Sequence, residues 1–318
     1  MTTFHRIATL ICLSAALLPA QELKLGIIGT DTSHAPAFTA IFHDASRKDH
    51  VPGVRVVAAF KGGSADIPSS ADRVEKFASD LASKQNVKFV SKISELCPMV
   101  DGLLLESVDG RVHLDQFRQA ATCGKPVFID KPLAASWEDV LAISRAAKEA
   151  KIAWFSTSGL RYQEWVTSLA GKATRGATTW GPGPVEEHHK LDLSWYAIHP
   201  IEILFTIMGP GCEKVSRVSS PSGDVITGYW KDGRIGTVRT LMPYGDYGAV
   251  VFGEKSALQS PPDAPFSYAP MVQDIVRFMK EKTASVPNDV TLEIFAFMEA
   301  ANRSRDQNGA LAALPSWK

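Results

Sequence analysis

Residues 24–38 read KLGIIGTDTSHAPAF. A short apolar run, Leu25–Ile28, enters Gly29, and a helix-forming segment follows. That is how a nucleotide-binding βα unit begins. Such a turn uses three glycines. The first allows the tight turn, the second lets the backbone approach a pyrophosphate, and the third lets helix and strand pack closely. Gly29 meets the first need, with Thr30 beside it; Asp31 and His34 stand at the second and third positions. A carboxylate at Asp31 would repel two phosphates at a helix N-terminus otherwise suited to anions. The alternative is that Asp31, Thr32 or Ser33 caps the helix containing Pro36 and Phe38.

Working outward, short apolar runs alternate with helical stretches from Leu23 to about Phe155. LKLGIIG, VRVVAAF, VKFV, DGLLLES, KPVFID and IAWFST are the expected strands. Between them, APAFTAIFHDA, SADRVEKFASDLAS, HLDQFRQAATCG and SWEDVLAISRAAKEAK carry apolar residues at helical spacing. In the last, Val140, Ile143, Ala147 and Ala150 share a face, and Ser136 is the natural cap. This alternation implies a doubly wound parallel sheet. After about Ser156 a Gly/Pro-rich segment leads to short alternating runs, including a hairpin signal at Asp232-Gly233, and two closing amphipathic helices. The expected organisation is an export segment at 1–20, a Rossmann-type domain at 21–155, and an α+β substrate and oligomerisation domain with a mostly antiparallel sheet at 156–318.

The 318 residues hold 34 basic and 34 acidic side chains and are 45% hydrophobic. Zero net charge offers no nucleic-acid footprint. No apolar run of about 18 residues follows the N-terminus, so no membrane partner is expected after processing. The start differs in kind. His5 and Arg6 precede the apolar run IATLICLSAALL, and PAQE follows. This predicts a Sec-type signal cleaved near Ala20 and a periplasmic or extracellular location. Cys97, Cys123 and Cys212 would remain. An odd, widely spaced set predicts small buried side chains rather than a disulfide framework or a zinc site.

The stretch VDGLLLESVDGRVHLDQFRQAATCGKPVFIDKPLAASWEDV, residues 100–140, resembles the family of glucose-fructose oxidoreductase and inositol dehydrogenase, Gfo/Idh/MocA. His113, Gly124-Lys125 and Asp130-Lys131-Pro132 match its blocks, with Asp for the usual Glu. GLRYQ at Gly159 is similar to the Arg-aromatic that opens the family's second domain, bringing in Arg161; IHPIEILFTIMG is similar to its His-containing helix, giving His199 and Glu202. The resemblance runs from Leu23 nearly to the C-terminus. It implies a Rossmann fold, a sugar or polyol substrate, a homo-oligomer, and acid–base residues at Lys131 and His199. The family's aspartate position is Trp195 here, which cannot move a proton; Asp192, three residues earlier, is the expected substitute.

Position supports these assignments. A lysine at the carboxyl edge of a parallel sheet lies where ligands bind, and partial desolvation suits it to proton transfer. Pro200 requires a helix to start close to His199, and a helix N-terminus disfavours the imidazolium. In EEHHKLD, an extended piece would put Glu186 and His188 on one face, so that with His199 they form a carboxylate–imidazole metal set. Arg161, Trp195, Tyr196 and His188 are the expected substrate contacts, and Trp180 is expected near the same cleft. At the second strand's end, Lys61 stands where an NAD-binding chain has an acid; it cannot accept a ribose hydrogen bond but can meet a 2′-phosphate. The expected cofactor set is therefore Gly29, Thr30, Asp31, His34, Lys61 and Asp130, holding NADP or NAD tightly. Alternatives are no dinucleotide at all, or a divalent metal.

Three functions compete at this stage. The first is a sugar or polyol oxidoreductase with Lys131 and His199 relaying the hydroxyl proton. The second is an exported lyase, epimerase or hydrolase on the same fold without a dinucleotide. The third is a noncatalytic carbohydrate- or partner-binding protein. The expectation taken forward is the first.

Overall fold

The computed structural model of the protein describes residues 22–317; the expected export segment lies outside them. Six parallel strands form the first sheet: β1 (Leu23–Ile28), β2 (Val54–Phe60), β3 (Lys88–Val90), β4 (Gly102–Leu105), β5 (Val127–Ile129) and β6 (Trp154–Ser156), in the order β3-β2-β1-β4-β5-β6. Helices α1 (His34–His43), α2 (Pro68–Gln85), α3 (His113–Ala121) and α4 (Trp137–Ala150) make the crossovers. Ser136 caps α4 as expected, its Oγ accepting from the Asp139 N–H at 3.1 Å. Strand order reverses between β1 and β4, and in open α/β sheets ligands bind beyond the carboxyl ends of the strands at such a point.

The second part contains α5 (Glu164–Thr167), α6 (Ile198–Met208), α7 (Ala269–Glu281) and α8 (Asn288–Asp306). Its sheet is built from β7 (Gly176–Pro182), β8 (Cys212–Ser220), β9 (Gly223–Trp230), β10 (Ile235–Leu241), β11 (Gly248–Phe252), β12 (Ala257–Gln259) and β13 (Ala312–Ala313). The order is β12-β11-β7-β10-β9-β8-β13, antiparallel except for the β7–β10 pair. The β9–β10 connection turns at Asp232-Gly233, with Gly233 at φ +86°.

Two elements depart from expectation. By chain order α7 belongs to the second domain, yet its Val272, Ile275 and Phe278 pack with Leu104, Phe128 and Phe155 of the first sheet. The reason is topological. Right-handed crossovers put α1 and α2 on one face beside β1–β3, and α3 and α4 on the other. The α1 face of β4–β6 is thus left bare, and the apolar stripe of α7 covers it. The cysteines also differ: Cys97 and Cys123 are joined in a disulfide, while Cys212 is free and buried. Their separation of 26 residues hid a pairing that forms where α3 ends against the turn after β3.

Candidate functional site

Gly29 builds the floor. Its φ is +91°, and a Cβ there would lie 2.2 Å from Ser107 Oγ, so only glycine lets the β1 turn rest on the loop after β4. Thr30 is fully buried; its N–H and Oγ1 both donate to the Lys61 carbonyl, at 2.8 and 3.2 Å. Asp31 is not where a phosphate would meet it. It is fully buried, accepting from Ser70 Oγ at 2.6 Å and from the Val108 N–H at 3.2 Å, and burial raises its pKa. The expected repulsion is therefore corrected: the carboxylate is turned into the protein and ties its own loop to the first turn of α2 and to the loop after β4. Lys61 is also displaced from its expected role. It is exposed and pairs with Glu75 at 2.6 Å.

His34 opens α1, and its Nδ1 lies 2.5 Å from Asp130 Oδ2. The ring stacks on Phe38 and meets the edge of Tyr268, with centroids 5.1 and 4.9 Å away. Asp130, just after β5, also accepts from the Lys131 N–H at 2.8 Å. Burial raises its pKa, but His34 and Lys131 outweigh burial and hold it below the usual range. Lys131 extends into the space between the domains, its Nζ 5.7 Å from the Tyr196 ring centroid. Desolvation lowers its pKa; Asp130 opposes that shift and the Arg73 charge adds to it. His199 stands in the first turn of α6, with Nδ1 2.7 Å from Ser158 Oγ. Burial, then the charges of Lys131 and His34, push its pKa well down. The outcome is a neutral imidazole and a desolvated lysine on one cavity, a pairing suited to proton transfer to and from a hydroxyl.

His34, Lys131, Ser158, Tyr196, His199 and Tyr268 line one cavity of about 730 Å³ between the two sheets. Thr32, Ser33 and His34 of the α1 N-terminus face it, as do Ser69 and Arg73 of α2. Arg73 donates to the Ser69 carbonyl and has no carboxylate partner among the described residues. Trp195, Tyr196, Tyr244, Tyr247, Phe266 and Tyr268 supply an aromatic wall. The α1 N-terminus and the Arg73 guanidinium are the groups of this cavity suited to an anion.

Other expected residues are held elsewhere. Asp192 lies in an ion-pair hub, 2.8 Å from Arg217 Nη1 and also bonded by Arg305. It does not line the cavity, so its expected acid–base role is corrected: two guanidinium groups occupy its oxygens. Arg161 is bound to Glu202, Nε to Oε2 at 2.6 Å, beneath the site rather than in it. EEHHKLD is a turn, not an extended piece. His188 bonds its neighbour Glu186 at 2.5 Å, while His189 reaches Asp109 at 3.1 Å across the domain boundary. Glu186, His188 and His199 are not assembled, and the described residues contain no cluster of three metal-ligating side chains. His113 bonds two backbone carbonyls and is structural.

One group escaped sequence reading. Glu106, directly after β4, is fully buried, and neither carboxyl oxygen has a hydrogen-bond partner among the described residues. Leu105 pairs with Ile129, so Glu106 stands next to Asp130 across the ladder. Burial, then the Asp130 charge, push its pKa well above the carboxylate range. An acid ending an apolar strand was the available signal. Ser158, Arg73 and Tyr268 gave none, because they reach the cavity only through tertiary packing.

A Rossmann-type domain is joined to a mixed-sheet domain, with Lys131 and His199 in one cavity at the switch point of the first sheet. Residues 23–157 match the Gfo/Idh/MocA family model, described as "Oxidoreductase family, NAD-binding Rossmann fold". A search of curated proteins found no match. Among solved structures, the chain is similar to a probable dehydrogenase from Thermotoga maritima (18% identity, TM-score 0.73, covering 92% of this chain and 99% of that one). It is similar to myo-inositol dehydrogenase from Lactobacillus casei in complex with NAD(H) and myo-inositol (18%, 0.70, 92% and 97%). It is also similar to an oxidoreductase from Agrobacterium radiobacter in complex with NAD+, L-tartaric acid and magnesium (15%, 0.71, 92% and 98%). At these identities the likeness is one of fold.

Proposed function

We propose that the protein is an oxidoreductase acting on a sugar, polyol or sugar derivative, with Lys131 and His199 as its acid–base pair. The observation that carries this reading is their convergence, from two domains, in the cavity that also holds the α1 N-terminus. NAD or NADP, when bound, supplies a hydride acceptor. Thr32, Ser33 and Arg73 would hold its phosphates, replacing the missing glycine and ribose contacts. Lys131 donates a hydrogen bond to the substrate hydroxyl or carbonyl oxygen, and neutral His199 takes the hydroxyl proton, oriented by Ser158. Trp195, Tyr196, Tyr247 and Tyr268 wall the reacting centre and exclude water from it. Two of the similar structures contain a nicotinamide dinucleotide and a polyhydroxylated small molecule, which supports the same substrate class here.

A second reading, acid–base catalysis without a dinucleotide, is favoured by the His34–Asp130 pair at the third glycine position, which adds another proton-transfer group to the cavity. One experiment separates them: denature purified protein, assay released nicotinamide nucleotide, and titrate NAD(H) and NADP(H) into the apoprotein. Nucleotide release or saturable binding, with reduction driven by a polyol panel, is expected. Absence of binding at millimolar nucleotide sinks the oxidoreductase reading in favour of the second. Export to an oxidising compartment belongs to the same proposal. The Cys97–Cys123 disulfide supports it, since such bonds persist where thiols are not kept reduced. Assembly as a homo-oligomer is likewise proposed; recovery of the protein as a monomer at micromolar concentration would remove it.

A further inference from the structure

The cavity is chemically polarised. Its floor carries Lys131 and His199, and its mouth is acidic and aromatic. Tyr244 is 61% exposed and Phe266 49% exposed, although both rings border the cavity. Each leans on an inner ring: Tyr244 on Tyr196 with centroids 6.0 Å apart, Phe266 on Tyr268 at 4.7 Å. Asp246 and Asp263 stand at the same mouth, exposed, with no hydrogen-bond or ion-pair partner among the described residues. Large exposed aromatics cost free energy unless something covers them. A pyranose ring answers both features at once. Its axial C–H face packs on an aromatic ring, and its hydroxyls donate to carboxylates. Unpaired acids at the mouth disfavour an anionic membrane surface or an anionic group at this end.

We propose that the mouth is an outer subsite for a second sugar ring, so that the substrate is a disaccharide or longer glycoside whose reacting ring sits at Lys131 and His199. This rests on the carbohydrate-directed reading of the same site. Tyr244 and Phe266 hold the outer ring's face, and Asp246 and Asp263 accept from its hydroxyls. Specificity for ring number is then set outside the reaction centre, where a free monosaccharide makes no contact.

Titration calorimetry on the full mature protein tests this without turnover. The probes are glucose and galactose, against cellobiose, lactose and maltose. At least one disaccharide should bind about tenfold or more tightly than its component monosaccharides, the order expected for one engaged aromatic contact. Tyr244→Ala with Phe266→Ala should abolish that advantage and leave monosaccharide affinity unchanged. Asp246→Asn with Asp263→Asn should reduce it. Equal affinity for one and two rings, no disaccharide binding, or an advantage that survives the aromatic double variant overturns the proposal. Tight disaccharide binding without hydride transfer would leave this inference standing while removing the oxidoreductase reading, so the two failures are distinguishable.

Discussion

Replacing Glu106 with leucine should stabilise the protein, and by more as pH rises. The side chain is fully buried on the face that β4 and β5 share with Leu104 and Phe128, and neither oxygen has a hydrogen-bond partner among the described residues. An unsatisfied buried polar group costs roughly 1–3 kcal/mol, and leucine of similar volume removes that cost. In addition, the folded-state pKa is raised, by burial and then by Asp130. The folded protein therefore keeps a proton that the unfolded chain releases. The associated stability is complete below the unfolded-state value and is lost as pH rises towards the folded-state value, at up to about 1.4 kcal/mol per pH unit. A leucine at this position does not titrate and has no such dependence. Urea unfolding of wild type and Glu106→Leu, from about pH 5 to about pH 8, should show a gap of roughly 1–3 kcal/mol at the acid end that widens with pH. Other titrating groups largely cancel in the difference, Asp130 excepted. A variant less stable than wild type throughout, or a gap that does not change with pH, would refute the picture of a protonated, unpartnered acid. A residue kept at such cost beside Asp130 belongs to the class in which a site holds less stability than its fold allows.

Three further outcomes are expected. Lys131→Met and His199→Ala should each lower kcat/KM by about 10²–10⁴, with little change in thermal midpoint, since both side chains face the cavity rather than the core; wild-type turnover by either variant would displace the reaction centre. Asp192→Asn should leave the pH–rate profile unchanged, whereas Arg217→Met, which strands Asp224 and leaves Asp192 with Arg305 alone, should cost roughly 3–5 kcal/mol in urea unfolding; a kinetic defect in Asp192→Asn with unchanged stability would restore its catalytic candidacy. Cys97→Ser with Cys123→Ser should lose about 3 kcal/mol, the loop-closure value for a separation of this order, and reduction of wild type should reproduce the loss. Insensitivity to reductant in unfolding assays would count against the bridge.

Much of the fold was legible in local pattern. Apolar runs separated by amphipathic stretches specify parallel strands and crossover helices, because period-two and period-3.6 burial are properties of neighbours in sequence. Ser136, Gly233 and the start of α6 at His199 were read correctly for the same reason: caps, turns and proline act within a few residues. Lys131 at a strand end and His199 at a helix start were singled out by the family resemblance and fit their positions, but their convergence in one cavity came from the packing of the two domains. The chemistry around them was not local. Asp31 looked like a charge facing phosphates until Ser70 and Val108, each dozens of residues away, drew it into the interior. Asp192 looked like a spare acid until Arg217 and Arg305 claimed it. Glu106 was one letter in an apolar run, and only packing from both sides removed its hydrogen-bond partners. Spacing and residue type set which segments become strands and helices and which residues reach the sheet's edge. Protonation, pairing and exposure depend on what lies across the chain at roughly 3–6 Å, so the tertiary structure alone decided which of these side chains face the cavity.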